Sequence, residues 1–378
     1  MKRLLIFICT LCFSANCFTL PPPDEKFKHK AAPLEVQSFA LALQDHLNNG
    51  DLNYFFNVFD INAQIERISL RLLSELNKTD RETFASGPIL PALLQPIRKN
   101  IPDRIKGNFS TIDSWHFVSY RKKQKTETLL FRAEIGDYID YMDFAIKKEQ
   151  GNWRIIGSFS HSKEVWMSEA IGEVAGIVMR SSIAKKEQNP LIMAAQNPEA
   201  DILAIYDRLP KEEQNSEIIQ KMLLGICSTH NNPALYAEAV KRIIPRSKKE
   251  QFSFAKYSYY YTSGNYPLAL QAIQTFNKRI GGDAQTQIME ADTLHNMGEQ
   301  KKSRKLLARI LEKYPEDELP YYTTLMILAS QNRYKDATLV LDVLRDDFGT
   351  ELDFALLSDV EGMEGFLASP AFKAWSSL

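Results

Sequence analysis

The residues best placed for chemistry lie in the stretch YIDYMDFAIKK, Tyr138 to Lys148. Strand alternation puts Tyr138 and Asp140 on the same face as Met142, Phe144 and Ile146. The three apolar residues should meet a core, which leaves the carboxylate and the phenol at one end of that face. Such a pair can transfer protons if it is shielded from water, because desolvation lifts a carboxylate's pKa toward neutrality. Arg132 and His116, on neighbouring predicted strands, are lesser candidates. The competing reading is a strand end opening on solvent, which Gly136-Asp137 immediately before the pair favours.

Other chemistry is hard to find. The sequence has no Walker loop, GxSxG elbow, HExxH or CxxC pair. Its histidines, His29, His46, His116, His161, His230 and His295, are scattered and read as surface or capping residues, with no metal-ligand spacing. Of the cysteines, Cys9, Cys12 and Cys17 fall near the N-terminus, and Cys227 sits in an apolar helix as a small core residue. Neither a metal nor a cofactor is implied.

The elements around Asp140 alternate in period. Helical spacing runs through LEVQSFALALQDHLNNG, where Val36, Phe39, Ala40, Leu43 and Leu47 share a face. Asp51 can cap the next helix, and INAQIERISLRLLSEL continues helically. GPILPALLQPIRKNI reads as a helix interrupted by Pro91 and Pro96. DSWHFVSYRKK, KTETLLFRAEI, YIDYMDFAIKK and NWRIIGSFSHS then alternate as four strands, implying an antiparallel meander with the helices on one face. The helix EVWMSEAIGEVAGIVM leaves the sheet.

Helices followed by a curved antiparallel sheet, with Asn49-Gly50-Asp51…Phe55…Phe59-Asp60 at the start and Gly151-Asn152-Trp153-Arg154-Ile155-Ile156 in the last strand, resemble the NTF2-like (cystatin-like cone) fold. That resemblance implies a cavity between sheet and helices. There an acidic base and a tyrosine or histidine donor would serve a lyase or isomerase, or a small apolar ligand would be held.

Beyond about Asn197 the chain is helical throughout. The stretch SGNYPLALQAIQTF contains Gly264, Tyr266 and Ala269. Thirty-four residues on stand Gly298, Gln300 and Ser303, and 34 further Asn332, Tyr334 and Ala337. Apolar residues keep the same register at Ile273, Leu307 and Leu341, and at Phe276, Ile310 and Leu344. Pro315 falls twelve after Ser303. This periodicity resembles tetratricopeptide repeats, in which each helical hairpin buries its face only against a neighbour. PEADILAIYDRL, SEIIQKMLLGICSTH and PALYAEAVKRII read as degenerate upstream repeats. The tail supplies Phe366, Phe372 and Trp375 as a terminal plug. Tyr257, Tyr260 and Tyr261 form a stripe, read either as packing between repeats or as anchors for a partner. The basic stretch KRIIPRSKKE reads as a solvated loop.

The N-terminus, MKRLLIFICTLCFSANCFT, has a charged start, an apolar run and small residues, the layout of a secretory signal cleaved near Ala15 to Thr19. Acylation of Cys17 is the rarer alternative, since Ser14 and Asn16 depart from the lipoprotein pattern. No later stretch is apolar enough to span a membrane. Formal net charge is -1, so no overall basic excess recommends nucleic acid or an anionic membrane, and a charged contact surface must be local.

The expected organisation is a signal peptide at 1–19, a flexible spacer at 20–33, an α+β NTF2-like domain at 34–180, a linker or connecting helix at 181–197, and a TPR-like helical repeat domain at 198–378. The fold class is α+β, helices on a four-stranded antiparallel sheet, followed by an all-α TPR-like solenoid. The expected role is an exported, periplasmic or secreted adaptor that binds a protein or peptide. The alternative is a small-molecule-binding protein or enzyme using the NTF2-like cavity. Asn77-Lys78-Thr79 and Asn108-Phe109-Ser110 fit the N-glycosylation pattern, which matters only in a eukaryotic host.

Overall fold

A computed structural model describes residues 28–74, 87–136, 138–183, 190–194, 200–229, 233–248, 251–351 and 363–377, with isolated positions 20, 23, 76, 81, 82, 84, 197, 357 and 358. The expected signal segment with Cys17, the Asn77 sequon and His230 lie outside the described residues, as does much of the 181–197 connection. The chain divides into two compact units, Met1–Ala255 and Lys256–Leu378.

The first unit is built on an antiparallel sheet. Four long strands follow the expected alternation: β2 (Ser114–Lys123), β3 (Thr126–Ile135), β4 (Tyr138–Glu149) and β5 (Asn152–Ser160). Two short strands extend the edges, β1 (Lys28–Lys30) and β6 (Val165–Trp166), giving the order β1-β2-β3-β4-β5-β6. The sheet therefore exceeds the four strands expected, and β1 occupies part of the segment read as spacer. Both additions are too short for alternation to register.

Helices α1 (Leu34–Asn48), α2 (Leu52–Val58), α3 (Ile61–Ser74) and α4 (Ile89–Phe109) bring apolar faces to the sheet. Asp51 caps α2, its side chain accepting from Asn53 N–H. Helix α4 runs unbroken past the prolines expected to interrupt it. Pro91 lies in its first turn, where the missing N–H has no partner to lose. Pro96 is exposed, so the carbonyl it leaves unpaired can meet water. Rings fill the sheet–helix interior. Phe55, Phe109, Trp115, Phe131 and Phe144 contact one another at centroid separations such as 5.0 Å (Phe55–Phe109), 4.9 Å (Phe109–Trp115) and 5.4 Å (Phe131–Phe144).

The other sheet face is also buried, contrary to the one-sided layer expected. Leu130, Tyr141, Asp143 and Ala145 are all fully inaccessible. Tyr141 meets Phe254 edge-on at 5.9 Å, and Trp166 and Leu20 cover Ala145 and Phe159. The rest of this unit is helical: α5 (Met167–Ile183), α6 (Pro190–Ala194), α7 (Ile202–Arg208), α8 (Lys211–Gln214), α9 (Glu217–Thr229) and α10 (Pro233–Ile243).

Helix α11 (Ser253–Thr262) carries the chain into the second unit. There α12 (Tyr266–Ile280), α13 (Ala284–Asn296), α14 (Gln300–Lys313), α15 (Leu319–Ser330) and α16 (Tyr334–Asp346) follow one another, each packed on the next. Helices α13 and α15 also touch directly. Two short helices, α17 (Glu364–Leu367) and α18 (Pro370–Ser376), bring Phe366 and Phe372 against Ala337, Leu341 and Leu344. Among the described residues no helix is long and apolar enough to cross a membrane.

Candidate functional site

Strand register separates the residues proposed for one cavity. Trp115, Ala133 and Asp140 are successive cross-strand partners, and Ala133 faces the helical core. His116, Arg132 and Tyr141 are the next set, so His116 and Arg132 project from the opposite face. The Tyr138 side chain lies outside the described residues.

Asp140 is buried, and its carboxylate is occupied by one turn. It accepts from Tyr141 N–H at 2.7 Å, Ser160 Oγ at 3.0 Å, Ser162 N–H at 3.0 Å and Ser162 Oγ at 2.8 Å. Three of the four donors come from Ser160 and Ser162 and tie the 160–163 turn to Asp140. The same turn receives Tyr236, which is partly exposed as a residue but donates its hydroxyl to Ser162 O at 3.4 Å. Burial, followed by the Asp140 and Glu164 carboxylates, pushes that phenol far above its ordinary pKa.

His116 and Arg132 converge on Glu134. His116 Nε2 lies 3.2 Å from Glu134 Oε1, and Arg132 Nε lies 3.3 Å from the same oxygen. Ser114 Oγ donates to Glu134 Oε2 at 2.6 Å and lies 3.1 Å from His116 Nε2. Burial raises the Glu134 pKa, but the Ser114 hydrogen bond and the His116 and Arg132 charges outweigh it and hold it below the usual value. The set contains serine, histidine and glutamate, yet one ring nitrogen meets both neighbours. A relay needs the base to hold the nucleophile with one nitrogen and its orienting group with the other. This arrangement suits an ion-paired cluster in which Arg132 is buried and Glu134 and His116 are partly open to solvent.

The strongest electrostatics involve residues that sequence reasoning passed over. Arg121 Nη2 and His161 Nε2 both contact Asp143 Oδ2, the histidine at 2.7 Å, and all three side chains are 0% exposed. Burial would raise the Asp143 pKa, but the Arg121 charge and the His161 hydrogen bond hold it down at about 2. His161 is thus an interior hydrogen-bond partner of Asp143 rather than the surface or capping residue expected, because the turn after β5 folds it over the buried second face. The one usable signal was the unbroken apolar run Leu129-Leu130-Phe131, which marks a strand covered on both sides. With all three groups sealed from solvent, the cluster holds the sheet and is closed to substrate. Among the described residues, no three His, Cys, Asp or Glu side chains gather as a metal ion would require.

In the second unit the recurrence at 34 residues takes structural form. Gly264, Gly298 and Asn332 have φ of 73°, 78° and 58°. Each is followed by a residue whose N–H reaches back five positions: Asn265 to Tyr260 O, Glu299 to Leu294 O and Arg333 to Leu328 O, at 2.8, 2.9 and 2.9 Å. Tyr266, Gln300 and Tyr334 begin α12, α14 and α16, and Ala269, Ser303 and Ala337 are each 0% exposed. Pro315 lies between α14 and α15, and its carbonyl accepts from Tyr321 Oη at 3.3 Å.

The tyrosine stripe divides. Tyr257 is buried and meets Tyr261 ring to ring at 5.6 Å with the planes tilted by 39°, and the Tyr261 hydroxyl bonds to Asp292 and meets Asn296 Nδ2 at 3.0 Å. Tyr260 turns instead to Tyr259, ring to ring at 5.6 Å, and stays partly exposed. An open cleft of about 460 Å³ lies at the far end, lined by Arg333, Lys335, Asp336 and Ser369 among others. No protein-family model, curated protein or solved structure matches the chain.

Proposed function

We propose that this chain is an exported adaptor of the cell envelope, in which an NTF2-like α+β domain accompanies a TPR-like solenoid that binds a protein partner. The observation that carries this reading is the repeated turn. A left-handed residue, the same backward hydrogen bond and a buried small residue five positions later recur three times at 34-residue spacing. Hairpins stacked in this way present their first helices side by side, as α13 and α15 lie. On these first helices the half-exposed Tyr260 and the exposed Met326 are the available anchors.

The cavity alternative has weaker support. Aromatic rings occupy the interior where a ligand would sit, and Asp140 is already engaged by four donors. A repeat architecture does not itself choose a partner, so capture of the partner decides.

A photo-crosslinking residue placed at Tyr260 or Met326 of the full chain, expressed in its own envelope, should trap a defined protein. The same residue at the exposed Leu41 on α1 should not. A chain that traps no protein at either position but carries a small molecule after purification would overturn the adaptor reading.

A further inference from the structure

Helix α14 carries a row of cations that its own fold leaves unanswered. Lys301, Lys305, Arg309 and Lys313 stand at successive i, i+4 positions, and all four are exposed. At 1.5 Å rise per residue they are spaced about 6 Å apart along the axis, in a row that turns about 40° per step, with Glu312 the one exposed carboxylate on the helix beside them. Among the described residues none of the four is paired with a carboxylate. Lys313 lies 4.7 Å above the Tyr314 ring, Arg309 reaches only the Lys305 carbonyl, and Glu299 is taken by Lys302 at 3.2 Å. Like charges at i, i+4 weaken a helix, so the row works against the element that bears it.

The neighbouring hairpins act as internal controls. The equivalent positions on α12 are Pro267, Gln271, Thr275 and Arg279, and those running along α16 and just past its end are Lys335, Leu339, Val343 and Asp347. One cation stands at each of those sets against four on α14, so the scaffold does not require the row. The buried side of α14, formed by Ser303, Leu306, Leu307 and Ile310, is already spent on packing.

We propose that this ridge docks an acidic α-helical segment of a partner protein. Carboxylates at i, i+4 on a facing helix repeat at the same spacing of about 6 Å, whereas same-face residues of an extended strand repeat at about 6.8 Å and drift out of step. Ala308, exposed beside the ridge, leaves room for a second helix to approach. An anionic bilayer fits less well, because a helix lying in an interface inserts a broad apolar face and α14 offers outside its packed side only Ala308 and the partly exposed Leu311. The ridge belongs to a second helix, apart from the first-helix surface proposed above, so either surface can fail its test while the other stands.

The test uses the full chain and a fluorescein-labelled, alanine-based helical peptide with four glutamates at i, i+4 spacing, followed by anisotropy. Binding should weaken about 10-fold between 50 and 300 mM salt, as screening of an exposed charged interface demands. Combining Lys301→Gln, Lys305→Gln and Arg309→Gln should weaken it about 10-fold at low salt, and Lys305→Gln alone about 3-fold. A peptide with the same glutamates spread around the helix should bind about 10-fold more weakly. The triple variant should melt at or above the native temperature, since repulsion is removed. If it melts lower, the single variant carries the comparison. Equal binding of the two peptides, or native affinity in the variants, would overturn the proposal. So would ridge-dependent binding to phosphatidylglycerol vesicles without binding to the peptide, which would assign the row to a membrane.

Discussion

Asn48 on α1 and Trp115 on the outer part of β2 exchange two hydrogen bonds, Asn48 Nδ2 to Trp115 O at 3.0 Å and Trp115 N–H to Asn48 Oδ1 at 2.7 Å. The side-chain amide takes the place a neighbouring strand's peptide would fill. One turn earlier, Gln44 Oε1 accepts from Phe117 N–H at 2.7 Å. Beyond Phe117 the edge is taken over by β1, whose Lys30 pairs with Tyr120. The opposite edge is treated alike, with Gln64 Nε2 donating to Ile156 O at 2.6 Å and Asp60 N–H to Ile155 O at 2.9 Å. Polar side chains at fixed places on α1 and α3 thus close edges that would otherwise recruit another chain.

Replacing Asn48 by alanine leaves one buried donor and one acceptor of Trp115 unpaired. Each such group costs about 1–3 kcal/mol, so Asn48→Ala should lower the unfolding free energy by about 2–6 kcal/mol. Urea unfolding followed by tryptophan fluorescence would measure this. A loss below about 0.5 kcal/mol would mean that water already serves this edge.

These closing contacts were not legible in the sequence, and the reason is physical. The alternation of Trp115, Phe117, Leu129, Phe131, Met142 and Phe144 marks three of the four long strands and their core face, because period-2 burial shows in residue type. Asn48 and Gln44 lie on a helix tens of residues away, and nothing local distinguishes them from solvated polar residues. The second sheet face was hidden for a similar reason. Arg121, Asp143 and His161 look solvent-facing strand by strand, and only their convergence in space pairs them. In the second unit the opposite held. Gly264, Gly298 and Asn332 declared their turns through residue type and spacing, since few residues accept a left-handed backbone.

The Asp143 cluster makes acid stability testable. Its folded pKa of about 2 lies below the ordinary 3.8, so its contribution is complete above the unfolded value and is lost as pH falls from about 4 through 2. Asp143→Asn removes the buried carboxylate charge that Arg121 and His161 share and should cost about 3–5 kcal/mol at pH 7. The variant should also lose part of the native protein's decline in stability between pH 4 and 2. Parallel pH curves for the two proteins would show that acid unfolding is driven elsewhere.

Cys227 should be inert in the folded protein. Burial pushes its thiol up to about 11, and the Arg242 charge offsets only part of that effect. Thiolate is the reactive form, so at pH 8 both low ionisation and burial protect it. A thiol reagent followed by peptide mapping should leave Cys227 unmodified without denaturant and label it fully in urea. Rapid native labelling would place this helix among the parts of the fold that open readily.

Two glycines with empty space where a Cβ would go should respond oppositely to alanine. Gly225 lies within α9, and a Cβ built on it meets nothing within 4 Å. Gly225→Ala should therefore gain helix propensity, stabilising by up to about 1 kcal/mol. Gly298 is equally unobstructed, but its φ is 78°. A Cβ there strains the left-handed backbone by about 1–2 kcal/mol, so Gly298→Ala should destabilise. Because sterics from neighbours are absent at both sites, the sign of φ alone separates them. Thermal melts of the two variants, with Gly298→Asn as a third, would decide the matter. Asparagine already holds the equivalent position at Asn332, so Gly298→Asn should fall between alanine and native glycine. If alanine proved harmless at Gly298, the turn between α13 and α14 would tolerate another geometry, and the repeated left-handed residue would lose its structural meaning.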